Sequence, residues 1–342
     1  MTMIDAERLR AAYDSDGFYA LQLEVGDKCE QGCSYCYMNA LPYTKNSLSD
    51  GLISEILADA RALGITSIEW LGGEPLLRGT IFEHMARAAD LGLRNNLWTG
   101  GLPLRDQAMA GKCAHACKNG LISVHVSSVD PRVYKTLHPT AGDRDLEDIL
   151  AGVKHVLDAG YPAGRMLNSV TFTGLQTAED MIRTIDYFER EHGIATSLNV
   201  YHTYLRPGTD PGELGRFIPA MPEVARVFKR IAKQSGHSAV PMNCVNKQYC
   251  SATLAVLCDG SVTPCATIRE AGAPNVHSDG SLLAIANKQR DHLVIKVLKS
   301  PRNLPGSCRG CELGETCWGC RSRAYGAGRG LLGKDPRCFR HP

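Results

Sequence analysis

Three cysteines fall on one short stretch, "CEQGCSYC", as Cys29, Cys33 and Cys36 in a C-x3-C-x2-C spacing. Three thiolates on one loop can hold three irons of a cubane cluster and leave the fourth without a protein ligand, a place where chemistry begins. Three buried thiols, or a zinc site that borrows a fourth ligand, would fit the same spacing. Eight more cysteines lie far along the chain: Cys244-x5-Cys250-x14-Cys265, then Cys308-x2-Cys311-x5-Cys317-x2-Cys320-x17-Cys338. The C-x2-C pairs suit a tetrahedral zinc site. The gap of five residues between them is nevertheless short against the roughly 15 to 20 of a zinc ribbon, and a local zinc site would orphan the other four cysteines.

The chain has 342 residues and fourteen cysteines in all. Its start has no basic segment leading into an apolar run, and nowhere is an apolar stretch long enough to span a bilayer. A cytoplasmic location is expected, where thiols stay reduced, so ligation of metal or clusters is a better account of the cysteines than disulfides. Lys and Arg number 38 against 36 Asp and Glu, and the formal charge of +2 gives no pull toward nucleic acid or membrane. Outside the two groups, Cys113 and Cys117 sit one helical turn apart, before a strand and away from the chemistry, as structural thiols. Cys258 is expected to be a buried packing thiol or, in an epimerase, a hydrogen-atom donor.

Strand-like runs at residues 18–25, 66–71, 93–99, 121–127, 165–172 and 196–203 must position these cysteines. Helical patterns alternate with them, clearest at 50–63 (Ser49 as N-cap, Gly64 as stop) and 177–192, with Gly193 beyond. Six βα units predict an α/β fold, a partial (β/α)6 barrel with functional loops at the carboxyl ends of its strands. After a helix near 222–235 the pattern changes to Cys, Gly and Pro with a hairpin at "VLCDGSVTPC". The expected division is residues 1–236 and 237–342, the latter too irregular for a large core and dependent on metal or clusters for order.

The first cysteine loop follows the first strand, with Tyr35 before its last cysteine, and "GGEP" (Gly72, Gly73, Glu74, Pro75) follows the second. In this the sequence resembles the radical SAM superfamily. The resemblance implies that the open iron of a [4Fe-4S] cluster chelates S-adenosylmethionine through its amine and carboxylate, while the GGEP backbone and Glu74 meet the amine. It further implies cofactor contacts from Thr99 in "WTGG", from Ser127 or Ser128 in "HVSSVD", and from Thr173 to Leu175. The second cysteine group, with the G-x4-C element from Gly260 to Cys265, resembles the SPASM extension of that superfamily. That resemblance implies two auxiliary [4Fe-4S] clusters, one on Cys244, Cys250, Cys265 and Cys320, the other on Cys308, Cys311, Cys317 and Cys338. The chain departs from it in "CWGC", where two residues rather than three precede the crossing ligand.

The resemblance implies three clusters, a 5′-deoxyadenosyl radical, and hydrogen abstraction from a substrate C–H bond, with reduced ferredoxin or flavodoxin as electron donor. A small polar substrate such as a sugar, aminocyclitol or sugar-nucleoside is expected, with maturation of a peptide as the alternative. Related sulfatase-maturing enzymes carry an aspartate where this chain has Ala266, which argues against that activity. His202, Tyr204 and Arg206 at the end of the sixth strand are candidate substrate contacts. The basic tail with Arg321, Arg323, Arg329, Lys334, Arg337 and Arg340 is either a solvated face or a docking surface for the acidic electron donor.

Overall fold

The structure is a computed structural model that describes residues 4–201, 211–236, 240–242 and 244–341. After α1 (Ala6–Asp14) come six parallel strands: β1 (Ala20–Glu24), β2 (Ser67–Leu71), β3 (Arg94–Thr99), β4 (Leu121–Val124), β5 (Met166–Phe172) and β6 (Ala195–Val200). The intervening helices are α2 (Asp50–Ala62), α3 (Ile81–Asp90), α4 (Gln107–Ala116), α5 (Pro131–Leu137), α6 (Asp145–Asp158) and α7 (Ala178–His192). Each forms for a local reason. In α2, Ser49 accepts the Leu52 N–H, Ile53, Ile56, Leu57 and Ala60 turn to the sheet, and Gly64 follows at positive φ. In α7, Thr177 caps the start and Gly193 takes the left-handed conformation that stops it.

The sheet does not close. Its order is β6-β5-β4-β3-β2-β1-β7-β8, an open parallel arrangement of the partial-barrel kind, extended at one edge. The two added strands come from beyond residue 236: β7 (Thr253–Val256) runs parallel to β1, and β8 (Val262–Thr263) returns antiparallel to β7 as the expected hairpin. This region therefore shares the sheet of the first part, and Leu254, Val256, Val262 and Leu282 pack in one apolar core with Leu21, Leu23 and Trp70. Its strand was hidden from pattern reading because "TLAV" is buried on both faces and has no alternation.

β4 stops at Val124, short of the expected residue 127. The Asn168 side chain takes over the pairing there, accepting the Val126 N–H at 2.9 Å and donating to its carbonyl at 3.1 Å. The chain is thus free to turn outward with His125, Ser127 and Ser128 at the carboxyl end of the sheet. Among the described residues no helix is long and apolar enough to cross a membrane.

Candidate active site

The first cysteine loop leaves β1 and is tied down on three sides. Cys29 N–H donates to Leu41 O (2.8 Å), Ser34 N–H to Leu137 O (2.9 Å), and Gln31 Nε2 to the carbonyls of Gly100 and His125. Gly32 has φ +66°, and a Cβ there would lie 1.8 Å from Thr140 Oγ1, so the turn between the first two cysteines needs glycine. The thiols of Cys29, Cys33 and Cys36 are close enough to influence one another electrostatically. Burial pushes the Cys29 thiol up to about 12, and Glu74 adds to the shift. Three soft donors on one loop fit a thiophilic metal cluster.

The two glycines of "GGEP" let the loop after β2 lie directly on this cysteine loop. A Cβ on Gly72 would fall 2.4 Å from Gly26 O, and one on Gly73 only 2.1 Å from Lys28 O. The same close approach makes hydrogen bonds from Gly73 N–H to Gly26 O (2.8 Å) and from Glu74 N–H to Lys28 O (2.7 Å). Pro75 begins a short 3-10 turn, and the buried Glu74 carboxylate accepts Leu76 N–H (3.0 Å), Thr99 Oγ1–H (2.7 Å) and Gly100 N–H (2.8 Å). Burial raises the Glu74 pKa to about 7 despite these donors. Cys29, Glu30, Gln31, Glu74, Gly100 and Leu102 help line a cleft. Thr99 meets that site through Glu74, and its neighbour Gly101 takes φ +91°.

Tyr35 heads a buried polar cluster that the sequence did not announce. Its hydroxyl donates to His125 Nε2 (2.7 Å) and touches Ser127 Oγ, while His138 Nε2 lies 3.5 Å away. His125 Nδ1 faces Ser169 O at 2.6 Å, which fixes the proton on Nδ1 and leaves Nε2 an acceptor. Burial lowers the His125 pKa to about 4 and that of His138 to about 3, so both rings are neutral. Ligand atoms of Cys33, His125 and His138 lie within 4.8 Å of one another. Leu175 packs with Tyr35, Cys33 and Tyr201, whereas Thr173 is engaged with Gln176. Ser128 points elsewhere: its hydroxyl donates to Asp180 in α7 at 2.8 Å, a contact that locks helix to strand rather than facing the cleft.

A second unpredicted group stands at the ends of β1 and β7. Glu24 is fully buried and accepts from Tyr37 Oη (3.0 Å), Arg269 Nη2 (2.7 Å) and the Cys258 N–H (3.2 Å). The Arg269 guanidinium also lies over the Tyr37 ring, and its Nε is buried without an acceptor among the described residues. Cys258 is buried here, its thiol pushed up by desolvation and then by Glu24. Cys113 and Cys117 are fully buried in and just after α4. His202, Tyr204 and Arg206 lie outside the described residues.

In the second cysteine group the chain brings Cys320 into electrostatic contact with Cys244 and Cys265, and Cys338 with Cys308 and Cys317. Cys250 packs against an apolar cluster beside Cys308. Gly319, at φ +69°, separates Cys317 from Cys320, and a Cβ there would lie 2.6 Å from Asp335 Cβ. Glycine is thus required at the left-handed turn inside "CWGC". Ala266 is buried, its N–H donated to Gln22 of β1 at 2.8 Å. The tail is not one solvated face: Arg321 and Arg323 are buried, their guanidiniums consumed by carbonyls and by Asp335. Arg329 is exposed, and Arg340 pairs with Glu312 at 2.6 Å.

Residues 23–188 match a family model described as the Radical SAM superfamily. A GTP 3′,8-cyclase of Haemophilus influenzae is 30% identical over 167 residues, 47% of this chain and 48% of the cyclase. A probable GTP 3′,8-cyclase of Methanosarcina mazei is 23% identical over 164 residues. The chain spans about half the length of these curated relatives. Among solved structures, anSMEcpe with bound AdoMet and the Cp18Cys peptide superposes with a TM-score of 0.69 at 15% identity, covering 94% of each chain. Streptococcus suis SuiB bound to S-adenosylmethionine gives 0.67 at 16%, covering 98% of this chain and 81% of SuiB. At such identity the likeness is one of fold.

Proposed function

We propose, from the premise that this chain is a radical SAM enzyme, that it abstracts hydrogen from a C–H bond of a peptide or protein side chain and oxidises or rearranges that side chain. The observation that carries the radical reading is the contact between two loops: the three-cysteine loop after β1 lies on the glycine pair after β2, with the Glu74 carboxylate buried beside it. Cys29, Cys33 and Cys36 would hold a [4Fe-4S] cluster, whose chemistry there would be one-electron cleavage of S-adenosylmethionine to methionine and a 5′-deoxyadenosyl radical.

The chain's own residues do the rest. Glu74 accepts the methionyl amine, and the cost of its buried charge is relieved by that cation. Thr99 and Gly100 hold the carboxylate in place. Tyr35, clamped by His125 and Ser127, fixes the cysteine loop between its last two ligands. β7 extends the sheet beyond β1 and brings Arg269 and Cys258 against Glu24 at the end of that strand. Arg269 Nε, a buried donor without an acceptor among the described residues, is the group we expect to meet the substrate.

The peptide reading is favoured over a sugar or aminocyclitol, which none of the similar proteins named above supports. Two neighbours that resemble this chain over nearly all of its length were solved with peptides, Cp18Cys and the precursor SuiA. A nucleotide is the second reading, favoured by the likeness of the first half to GTP 3′,8-cyclases. Ala266 keeps sulfatase maturation out of the proposal. We assign Cys244, Cys250, Cys265 and Cys320 to one auxiliary cluster and Cys308, Cys311, Cys317 and Cys338 to another, fed by ferredoxin or flavodoxin. Anaerobic reconstitution should give about twelve irons per chain, and reduction with S-adenosylmethionine should give 5′-deoxyadenosine. Deuterium from a labelled peptide should enter that product. A fully clustered protein that yields none would remove the enzymatic reading.

A further inference from the structure

The turn that ends β3 contains a glycine that its backbone does not demand. Gly101 takes φ +91°, whereas Gly100 is not at positive φ. Space accounts for Gly100 instead: a Cβ there would fall 2.6 Å from Gln31 Oε1 and 3.4 Å from Glu74 Oε2. Two acceptor oxygens, one from the cysteine loop and one from the loop after β2, thus face one point beside Gly100. Gln31, Glu74 and Gly100 line the same cleft. Gly100 has only its N–H to give there, and that goes to Glu74 at 2.8 Å. Acceptors that face one another in a buried place call for a donor between them.

Gln31 is buried, and its Nε2 donates to Gly100 O (3.2 Å) and His125 O (3.1 Å). Both amide N–H groups are used, and the reverse orientation would set an oxygen against two carbonyls, so the side chain has one way to sit. Oε1 is thereby turned from those carbonyls, with Cys33 Sγ at 3.5 Å. A Cys33 that ligates iron has no proton to give it. Glu74 is nearer saturation: Leu76 N–H, Thr99 Oγ1–H and Gly100 N–H take three of its roughly four lone-pair positions. The methionyl amine of S-adenosylmethionine brings more than one N–H donor, and the single position left on Glu74 cannot satisfy it.

We propose that Gln31 is a second acceptor for that amine, opposite Glu74 across the space beside Gly100. It is then a specificity residue, one by which the protein separates S-adenosylmethionine from adenosyl compounds that lack the amine. The inference rests on the reading of Glu74 as the amine's first acceptor. The two carbonyls that hold Gln31 Nε2 fix Oε1 before the cofactor arrives, so little side-chain freedom is lost on binding. No local motif marks Gln31, and only the convergence of three strand ends gives it this position.

Calorimetry on the reconstituted, oxidised full chain tests it without turnover, by comparing the affinity for S-adenosylmethionine with that for its deaminated analogue. Gln31→Met, which keeps the length of the side chain, should shrink the native preference for the amine about threefold to tenfold, the worth of one hydrogen bond. Gln31→Lys keeps donors toward the two carbonyls but offers no acceptor, and should shrink the preference further because its charge opposes the amine. Gly100→Ala leaves both side chains in place and fills the space between them, so it should shrink the preference even if the Gln31 variants fail to hold the first cluster. A residue that only tethers the cysteine loop would weaken both ligands equally. An unchanged preference in the variants, with Glu74→Gln still reducing it, overturns the inference and leaves the reading of Glu74 standing. A native protein that does not prefer the amine overturns both.

Discussion

The two cysteine regions differ in where their positive charge comes from. Around Cys29 and Cys33 burial, the neighbouring thiols and the acids Glu74 and Glu30 oppose ionisation, and only hydrogen bonds work the other way. Around Cys244 and Cys308 the chain itself brings buried guanidiniums, Arg323 and Arg321. A site that lacks built-in cations is completed by a cationic visitor, and S-adenosylmethionine carries both a sulfonium and an amine. A site that already has them needs no visitor and suits the storage and passage of electrons. The difference matches the proposal that one loop is for chemistry and the other frame for supply.

Changes that remove ligands should break this contrast most strongly. Cys33→Ala should lose about four irons and all formation of 5′-deoxyadenosine, measured by iron assay and chromatography. Gly73→Ala comes next: its Cβ has no room beside Lys28 O, so the two loops must separate. Reduced iron at the first site and at least a tenfold loss of S-adenosylmethionine cleavage, about 1.4 kcal/mol or more, are expected.

Glu74→Gln should weaken S-adenosylmethionine binding about 10- to 100-fold by calorimetry, the range for losing a charged hydrogen bond. The Glu74 pKa is raised from its ordinary value to about 7, so the folded state binds a proton that the unfolded state releases. Stability of the ligand-free protein should accordingly fall as pH rises from about 4.5 through 7. Glu74→Gln should flatten that slope in thermal melts, and S-adenosylmethionine should offset it in the native protein. The smallest effect belongs to the surface: Arg329→Glu should slow reduction by an acidic ferredoxin severalfold at low salt and little at high salt. An unchanged rate would remove the tail as a docking surface.

Much of this was legible because spacing and punctuation are local. Ser49, Gly64, Thr177 and Gly193 mark helix ends that the structure keeps. The three-cysteine loop and "GGEP" stand at successive strand ends, as read. What was not legible depends on distant pairing. β7 joins β1 across more than two hundred residues of sequence, and "TLAV" has no period to betray it. His125, His138, Glu24 and Arg269 carry no local motif and become a site only when strand ends converge. Ser128 looked like a ligand by position but turns to Asp180, since the strand ends early. The arginines of the tail looked solvated because charge runs usually are, and only Asp335, twelve residues after Arg323, shows why two of them are buried.

The division of labour is tested most directly by counting 5′-deoxyadenosine per chain in the native protein, Cys33→Ala and Cys320→Ala, each reconstituted and reduced chemically with S-adenosylmethionine. Cleavage should vanish in Cys33→Ala and persist in Cys320→Ala, because a chemical reductant bypasses the supply frame. Cleavage by Cys33→Ala, or its loss from a Cys320→Ala protein that keeps the first cluster, would contradict the account.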